Sequence, residues 1–401
     1  MKRQNDRIKE KDVIFELWRK QREMNQNLLI KNANCYIDGA FVEKDIFVIA
    51  GKIADFKKDC CGFTDCTEVD YSGFYVVPGF IDIHTHGAAG CDVNAAGLEE
   101  FETISAFFAT KGVTSFLASI LTDSPENTRN ILDVIARYKA MQHSGAQLLG
   151  AHLEGPFLAH AKKGAMPPEY LKEADLDLFE SYAASGVVKY ITVAPEVPGA
   201  GDLIKNISSR IPVAIGHSAA TYAQAKQAID GGARVSTHTF NAMEGIDRVE
   251  PHILGAALES DIYNEIIADG AHVHPANIRL LYRLKGNRKI IAITDSIAAT
   301  GMPDGTYRLG ANDVELKGIN CFMSGTATRA GSALTMDAAL KNLMRFLHIS
   351  LEEAIPMVSQ NAADVFGLNK GYIRIGYDAD FAVLDKDFNV VNTIIGGCVQ
   401  L

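Results

Sequence analysis

The chain has 401 residues, an apolar fraction of 47% and a formal net charge of -10. That is enough sequence to bury one large core, or a large core with a smaller companion. The acidic balance argues against a nucleic-acid or anionic-membrane surface, while leaving room for a local basic pocket that takes an anionic substrate. No apolar run reaches the roughly 18 residues that span a bilayer.

Residues 1–27 mix Lys/Arg with Glu/Asp, which fits neither a transit nor a secretory signal and points to a cytoplasmic protein. Val13, Ile14, Leu17 and Trp18 are spaced like one face of a helix, so a short charged surface helix is expected there. Seven cysteines at positions 35, 60, 61, 66, 91, 321 and 398 form no paired framework, so reduced thiols are expected. Cys60, Cys61 and Cys66 are close in sequence, but without a neighbouring histidine or a second Cys pair they make a poor metal site.

From residue 28 to 77, short alternating strands separated by turn signals at Asp38-Gly39 and Gly51-Lys52 read as a small β unit. After Pro78 the rhythm becomes strand, turn, helix. Strands are predicted at 80–84, 114–119, 148–153, 188–193, 213–215, 234–237, 265–268 and 290–293, with helices such as 124–141 and 221–230 between them. Eight such units in about 300 residues suit a closed (β/α)8 TIM-like barrel, with an open doubly wound sheet as the alternative. From residue 371 the pattern returns to short strands. The two ends are therefore expected to pair into one small β-sandwich domain, 28–77 with 371–401, beside a barrel of 78–370.

The polar residues favour the barrel. In Pro78-Gly79-Phe80-Ile81-Asp82-Ile83-His84-Thr85-His86-Gly87, the two histidines share a strand face with Asp82, because strand side chains alternate. Two histidines beside a turn can be ordinary satisfied polar groups. Other strand ends, however, carry Glu154 in His-Leu-Glu-Gly-Pro-Phe, His217 in Gly-His-Ser, His238 in Thr-His-Thr-Phe-Asn-Ala-Met and Asp295 in Thr-Asp-Ser. These residues fall after the first, third, fifth, sixth and eighth predicted strands. A barrel brings all its strand ends to one face, whereas an open sheet joins only those near its switch point.

In this order, with Ala-Asp-Gly-Ala-His and Ala-Gly-Ser-Ala-Leu-Thr-Met further on, the motifs resemble those of the N-acetylglucosamine-6-phosphate deacetylases of the amidohydrolase superfamily. The resemblance covers nearly the whole chain after its N-terminal extension. It implies metal-dependent hydrolysis of N-acetyl-D-glucosamine 6-phosphate to D-glucosamine 6-phosphate and acetate, in amino-sugar catabolism. Glu154, His217 and His238 offer one oxygen and two imidazole nitrogens, a set suited to Zn, Fe(II) or a similar ion with an open position for water. His84 and His86 would complete a second ion site with Glu154 bridging, so one or two divalent ions are expected. Many amidohydrolases use a modified lysine as the bridge, but Lys189 stands at the start of its strand and cannot reach.

The resemblance assigns Asp295 as general base toward water and general acid toward the departing amine. The plain alternative is that Asp295 merely caps the segment after it. Asn241, Ala242, Arg248 and His272 are implied around the sugar phosphate, with Ala165 and Ala330 as further substrate contacts. In relatives the arginine comes from a neighbouring subunit, which implies a homodimer. Three departures bear on the sugar and not on the reaction class: Met166 in place of a polar residue, one extra residue after Arg248, and Arg329 in place of an apolar residue before Ala330. His152 shares the face of Glu154 and is expected one layer deeper as a hydrogen-bonding partner. An N-acetylgalactosamine-6-phosphate deacetylase and a non-enzymatic scaffold on the same fold are the competing readings. The scaffold would be expected to have lost ligands that this chain keeps.

Overall fold

The computed structural model describes residues 27–56, 66–141 and 144–400. The expected N-terminal helix and the Cys60-Cys61 pair lie outside the described residues.

Eight parallel strands form one sheet in strict sequence order, Phe80–Thr85, Val113–Leu121, Gln147–Glu154, Val188–Val193, Val213–Ile215, Val235–Ser236, Tyr263–Ile267 and Ile290–Ile293. They are near-continuous apolar or β-branched runs because each is covered on both sides: every residue of Val113–Leu121 is buried. The first and eighth units close the ring at their carboxyl ends. There the Asp295 N–H donates to the His84 carbonyl at 2.9 Å and the His86 N–H to the Ser296 carbonyl at 2.7 Å. The architecture is a (β/α)8 TIM-like barrel, and its closing seam carries three of the candidate site residues.

Local chemistry sets the helices between the strands. Pro125–Ala140 starts at Ser124, whose hydroxyl accepts from the Asn127 N–H at 3.1 Å, and Pro125 fills a first-turn position whose missing N–H costs nothing. Tyr222–Asp230 starts with a reciprocal Thr221–Gln224 capping box. Below the strand ends, the barrel interior holds a polar layer where most such cores are aliphatic. His152 bonds Ser119 Oγ at 2.8 Å and Thr192 Oγ1 at 2.9 Å, and Thr192 in turn bonds Thr237 at 2.8 Å. All four side chains are fully buried, and these mutual bonds are what make their burial tolerable.

A second sheet draws on both chain ends. It runs from Cys398–Gln400 through Val390–Ile395, Phe381–Leu384, Tyr75–Pro78, Asn27–Ile37 and Ala40–Ile49 to Lys52–Asp55, with Cys66–Asp70 on the side. Leu28, Ile30, Val48, Val76, Phe381 and Ile394 fill its own core. Cys35, Cys91, Cys321 and Cys398 are free thiols, whereas Cys66 is disulfide-bonded, so the expectation of reduced thiols fails at that position. After the eighth barrel strand, a three-stranded antiparallel meander, Gly305–Leu309, Asn312–Lys317 and Asn320–Met323, folds over the barrel mouth. No described helix is long and apolar enough to cross a membrane.

Candidate metal centre and substrate pocket

The carboxyl ends of five barrel strands converge on Glu154. Its Oε1 lies 3.1 Å from His217 Nε2 and 3.1 Å from His238 Nε2, and those two nitrogens are 3.0 Å apart. On the other side, Glu154 Oε2 is 3.1 Å from His86 Nε2, and Oε1 is 3.3 Å from His84 Nε2. Asp295 Oδ1 completes this side, 3.3 Å from His86 Nε2 and 3.7 Å from His84 Nε2. One carboxylate thus stands between two sets of ligand atoms.

The imidazoles are oriented for this arrangement. Three of the four rings have a fixed partner behind the second nitrogen: His84 Nδ1 donates to Glu265 at 3.0 Å, His86 Nδ1 to the Ser119 carbonyl at 3.0 Å and His217 Nδ1 to the Lys162 carbonyl at 2.8 Å, whereas His238 Nδ1 has no hydrogen-bond partner among the described residues. With the Nδ1 proton so committed, the Nε2 lone pair faces the cluster, the usual arrangement of a histidine that grips a metal. His84 Nε2 is buried without a hydrogen-bond partner among the described residues. An orphaned buried nitrogen, a shared carboxylate and converging imidazoles together fit a divalent cation. Two groups, His84 with Glu154 and His238, and His84 with His86 and Asp295, place their ligand atoms within 4.8 Å of one another.

Charge in the protein without an ion follows the same geometry. Burial pushes the Glu154 carboxyl up, but His84, His217 and His238 around it hold it well below the usual carboxylate range. Burial disfavours charge on His86, yet Asp295 and Glu154 beside it raise its pKa to about 9. Asp295 is likewise pulled down by His86 and His84 against its burial, so it is ionised at neutral pH. His152, one layer deeper, is driven the other way by burial and by His84, and stays neutral.

His217, His238 and Asp295 sit at positive φ, 47°, 25° and 49°. Non-glycine residues rarely adopt that region, and its strain concentrates where a site requires it. The backbone of Asp295 is pinned as well, its carbonyl accepting from the Ser332 N–H at 2.7 Å. Its carboxylate accepts no backbone N–H among the described residues, which sets aside the capping alternative.

Above the cluster opens a cavity of about 320 Å³, at the lower end of the range of small-molecule sites. His86, Glu154, His217, His238 and Asp295 lie at its floor, and Asn241, Ala242, His272, Ala165 and Ala330 line its walls. His272 is held by Asp269, Nδ1 to Oδ2 at 2.6 Å, and burial of that carboxyl is outweighed by His272, which keeps it ionised. The Ala165 carbonyl accepts from Asn312 Nδ2 at 2.8 Å, which ties this wall to the meander. Met166 belongs to the apolar cluster under the meander with Leu121, Leu158, Ile297 and Leu309, which accounts for an apolar residue there. Arg329 lines the cavity, stacks on Phe322 at 4.9 Å and donates to Asn320 at 3.0 Å. Arg248 is exposed and is not among the lining residues.

Glu265 and Asp269 are functional neighbours that the sequence did not single out. Glu265 opens a predicted strand, where a charge usually marks an edge. Its one signal was a carboxylate directly before the apolar run Ile266-Ile267-Ala268.

The fold and this centre define a metal-dependent hydrolase of the amidohydrolase type, and its similarity to known proteins agrees. The model of the amidohydrolase family matches residues 75–399. The N-acetylglucosamine-6-phosphate deacetylase of Vibrio furnissii is 38% identical over 80% of this chain and 82% of its own, and that of Homo sapiens is 34% identical over 92% and 95%. The solved N-acetylglucosamine-6-phosphate deacetylase of Pasteurella multocida superposes with a TM-score of 0.87 at 30% identity, covering 93% of this chain and 99% of that one. A mutant of the deacetylase from Mycobacterium smegmatis, in complex with N-acetyl-D-glucosamine-6-phosphate, superposes with a TM-score of 0.87 at 30% identity, over 94% and 100%. The chain belongs to the amidohydrolase family and, within it, to the N-acetylglucosamine-6-phosphate deacetylase family.

Proposed function

We propose that the protein hydrolyses N-acetyl-D-glucosamine 6-phosphate to D-glucosamine 6-phosphate and acetate, in cytoplasmic amino-sugar catabolism, with a barrel of 78–370 as the catalytic unit. The observation that carries this reading is the position of Glu154, with two imidazole nitrogens 3.1 Å from one of its oxygens and His86 3.1 Å from the other. In this reading His217, His238 and Glu154 would hold one divalent ion, and His84, His86 and Glu154 would hold a second. When bound, such ions acidify water and polarise the acetamide carbonyl.

The chain's own residues do the rest. Asp295, ionised and rigidly held, accepts the proton of the attacking water as its oxygen joins the carbonyl carbon. It returns that proton to the amine nitrogen as the C–N bond breaks, so that acetate and the amino sugar leave. His272, fixed by Asp269, together with Asn241 and Ala242, holds the sugar phosphate above the floor. Arg248 reaches that phosphate from a second copy of the chain. Support for a homodimer comes from the exposed Ile246 and Val249 that flank it, 56% and 73% accessible, a surface that a second copy would cover.

The test is a side-by-side assay of acetate release from N-acetylglucosamine 6-phosphate and its galactosamine epimer, before and after chelation. Chelator-sensitive turnover, faster on the glucosamine compound, is expected. Preference for the epimer would reassign the substrate, and absence of turnover on both would overturn the reading.

A further inference from the structure

Glu265 lies on the seventh barrel strand, fully buried, and makes three hydrogen bonds. Its Oε2 accepts from His84 Nδ1 at 3.0 Å and from the His238 backbone N–H at 3.0 Å, and its Oε1 accepts from the Tyr190 hydroxyl at 2.7 Å. We infer that Glu265 is a positioning residue that aligns both halves of the metal centre at once. It turns the His84 ring on one side and fixes the His238 backbone on the other. The inference rests on the proposal that His84 and His238 hold ions.

Three observations carry it. First, a fully buried carboxylate is expensive for folding unless it is compensated. Among the described residues the only side chain at ion-pair distance from Glu265 is the His84 ring, which carries no charge when its Nε2 lone pair faces the cluster, so an aliphatic side chain would serve a purely structural role better. Secondly, the bond to Nδ1–H commits that proton and directs the orphaned Nε2 of His84 toward Glu154, and a carboxylate behind an imidazole strengthens it as a ligand. Thirdly, His238 has φ of 25°, and its N–H has Glu265 as its anchor. Losing that bond releases a residue whose backbone is otherwise unfavourable. The single oxygen Oε2 therefore couples a ligand of each ion, which neither Ser119 behind His86 nor Lys162 behind His217 does.

The test uses full-length protein and Zn²⁺ as the probe. Three variants, Glu265→Gln, Glu265→Ala and Tyr190→Phe, are compared with the parent for bound zinc per chain and for zinc affinity by competition with a chromogenic chelator. Circular dichroism verifies folding. Removing the partner behind a metal-binding histidine weakens affinity by about 10- to 100-fold. Glu265→Ala is expected in that range and Glu265→Gln, which keeps the shape but loses the charge, near its lower end. Tyr190→Phe removes only the Oε1 partner and is expected to bind zinc like the parent.

Glu265→Gln within about threefold of the parent overturns the inference, even if Glu265→Ala fails to fold. So does a loss in Tyr190→Phe as large as that in Glu265→Gln, because it would reduce the role to packing. A parent protein that binds no zinc or other divalent ion would instead bring down the metal reading beneath the inference.

Discussion

Replacing Asp295 with asparagine separates proton transfer from metal holding. The side chain is nearly isosteric, and its backbone is fixed on both sides by the bonds from Asp295 N–H to the His84 carbonyl and from Ser332 N–H to the Asp295 carbonyl, 2.9 and 2.7 Å. The amide therefore occupies the place of the carboxylate, 3.3 Å from His86 Nε2, but can neither accept the proton of water nor deliver one to the amine. General acid-base assistance is worth about 10²- to 10⁴-fold. The expected loss in kcat is of that order, equivalent to about 2.7–5.4 kcal/mol in the barrier. The set of Glu154, His217 and His238 does not include Asp295, so at least one ion stays bound. Acetate release measured by a coupled assay, with elemental analysis of the same sample, reads both quantities. Turnover within tenfold of the parent at unchanged metal content would refute the role given to Asp295.

Other consequences follow from the same geometry. Gly331, at φ of 59°, has no room for a side chain: an added Cβ would lie 2.2 Å from Ile297 Cγ2 and 3.1 Å from the Asp295 carbonyl. Gly331→Ala is expected to shift Asp295 and lower kcat by about 10- to 100-fold with bound metal unchanged, because small displacements at a reacting centre are costly; unchanged kinetics would contradict this. In ion-free protein the His86 pKa of about 9 means that protons compete for the site. Zinc affinity is therefore expected to rise with pH up to about 9 and to flatten above it, and an affinity independent of pH would contradict it. Lys370 is 2.9 Å from Asp378 and 2.5 Å from the buried Asp380. Lys370→Ala leaves that acid unpaired and should cost about 3–5 kcal/mol in urea unfolding at neutral pH. Burial lowers the Lys370 pKa but its two carboxylates raise it above 10.5, so its stabilisation is present below that value and disappears as pH rises through the higher one. Equal stability of variant and parent at neutral pH would show that the pair contributes nothing.

Much of the barrel and of its floor was legible because the residues of the floor stand at or just beyond the ends of short buried strands. Glu154 after Gln147–Glu154's apolar core, and His217 just beyond Val213–Ile215, announce strand ends by contrast alone. Once a ring of strands is granted, those ends must meet. Features that depend on what lies opposite in space were less readable. Glu265 resembled the start of a strand, and only the arrival of His84 and His238 beside it reveals its use. Positive φ at His217, His238 and Asp295 left no mark, because none of them is a glycine. The meander placed Met166 in an apolar cluster that sequence spacing does not foretell. Arg248 is exposed and outside the cavity, and the role proposed for it depends on a second copy of the chain.

The most direct measurement strips the protein with a chelator and adds back a divalent cation stepwise, recording bound ions and acetate release together, for the parent and for Glu154→Gln. Activity that returns in proportion to bound ion in the parent, with neither binding nor activity restored in the variant, is the result expected if one carboxylate anchors the catalytic centre. Full turnover in the stripped parent, or normal ion binding and activity in Glu154→Gln, would contradict it.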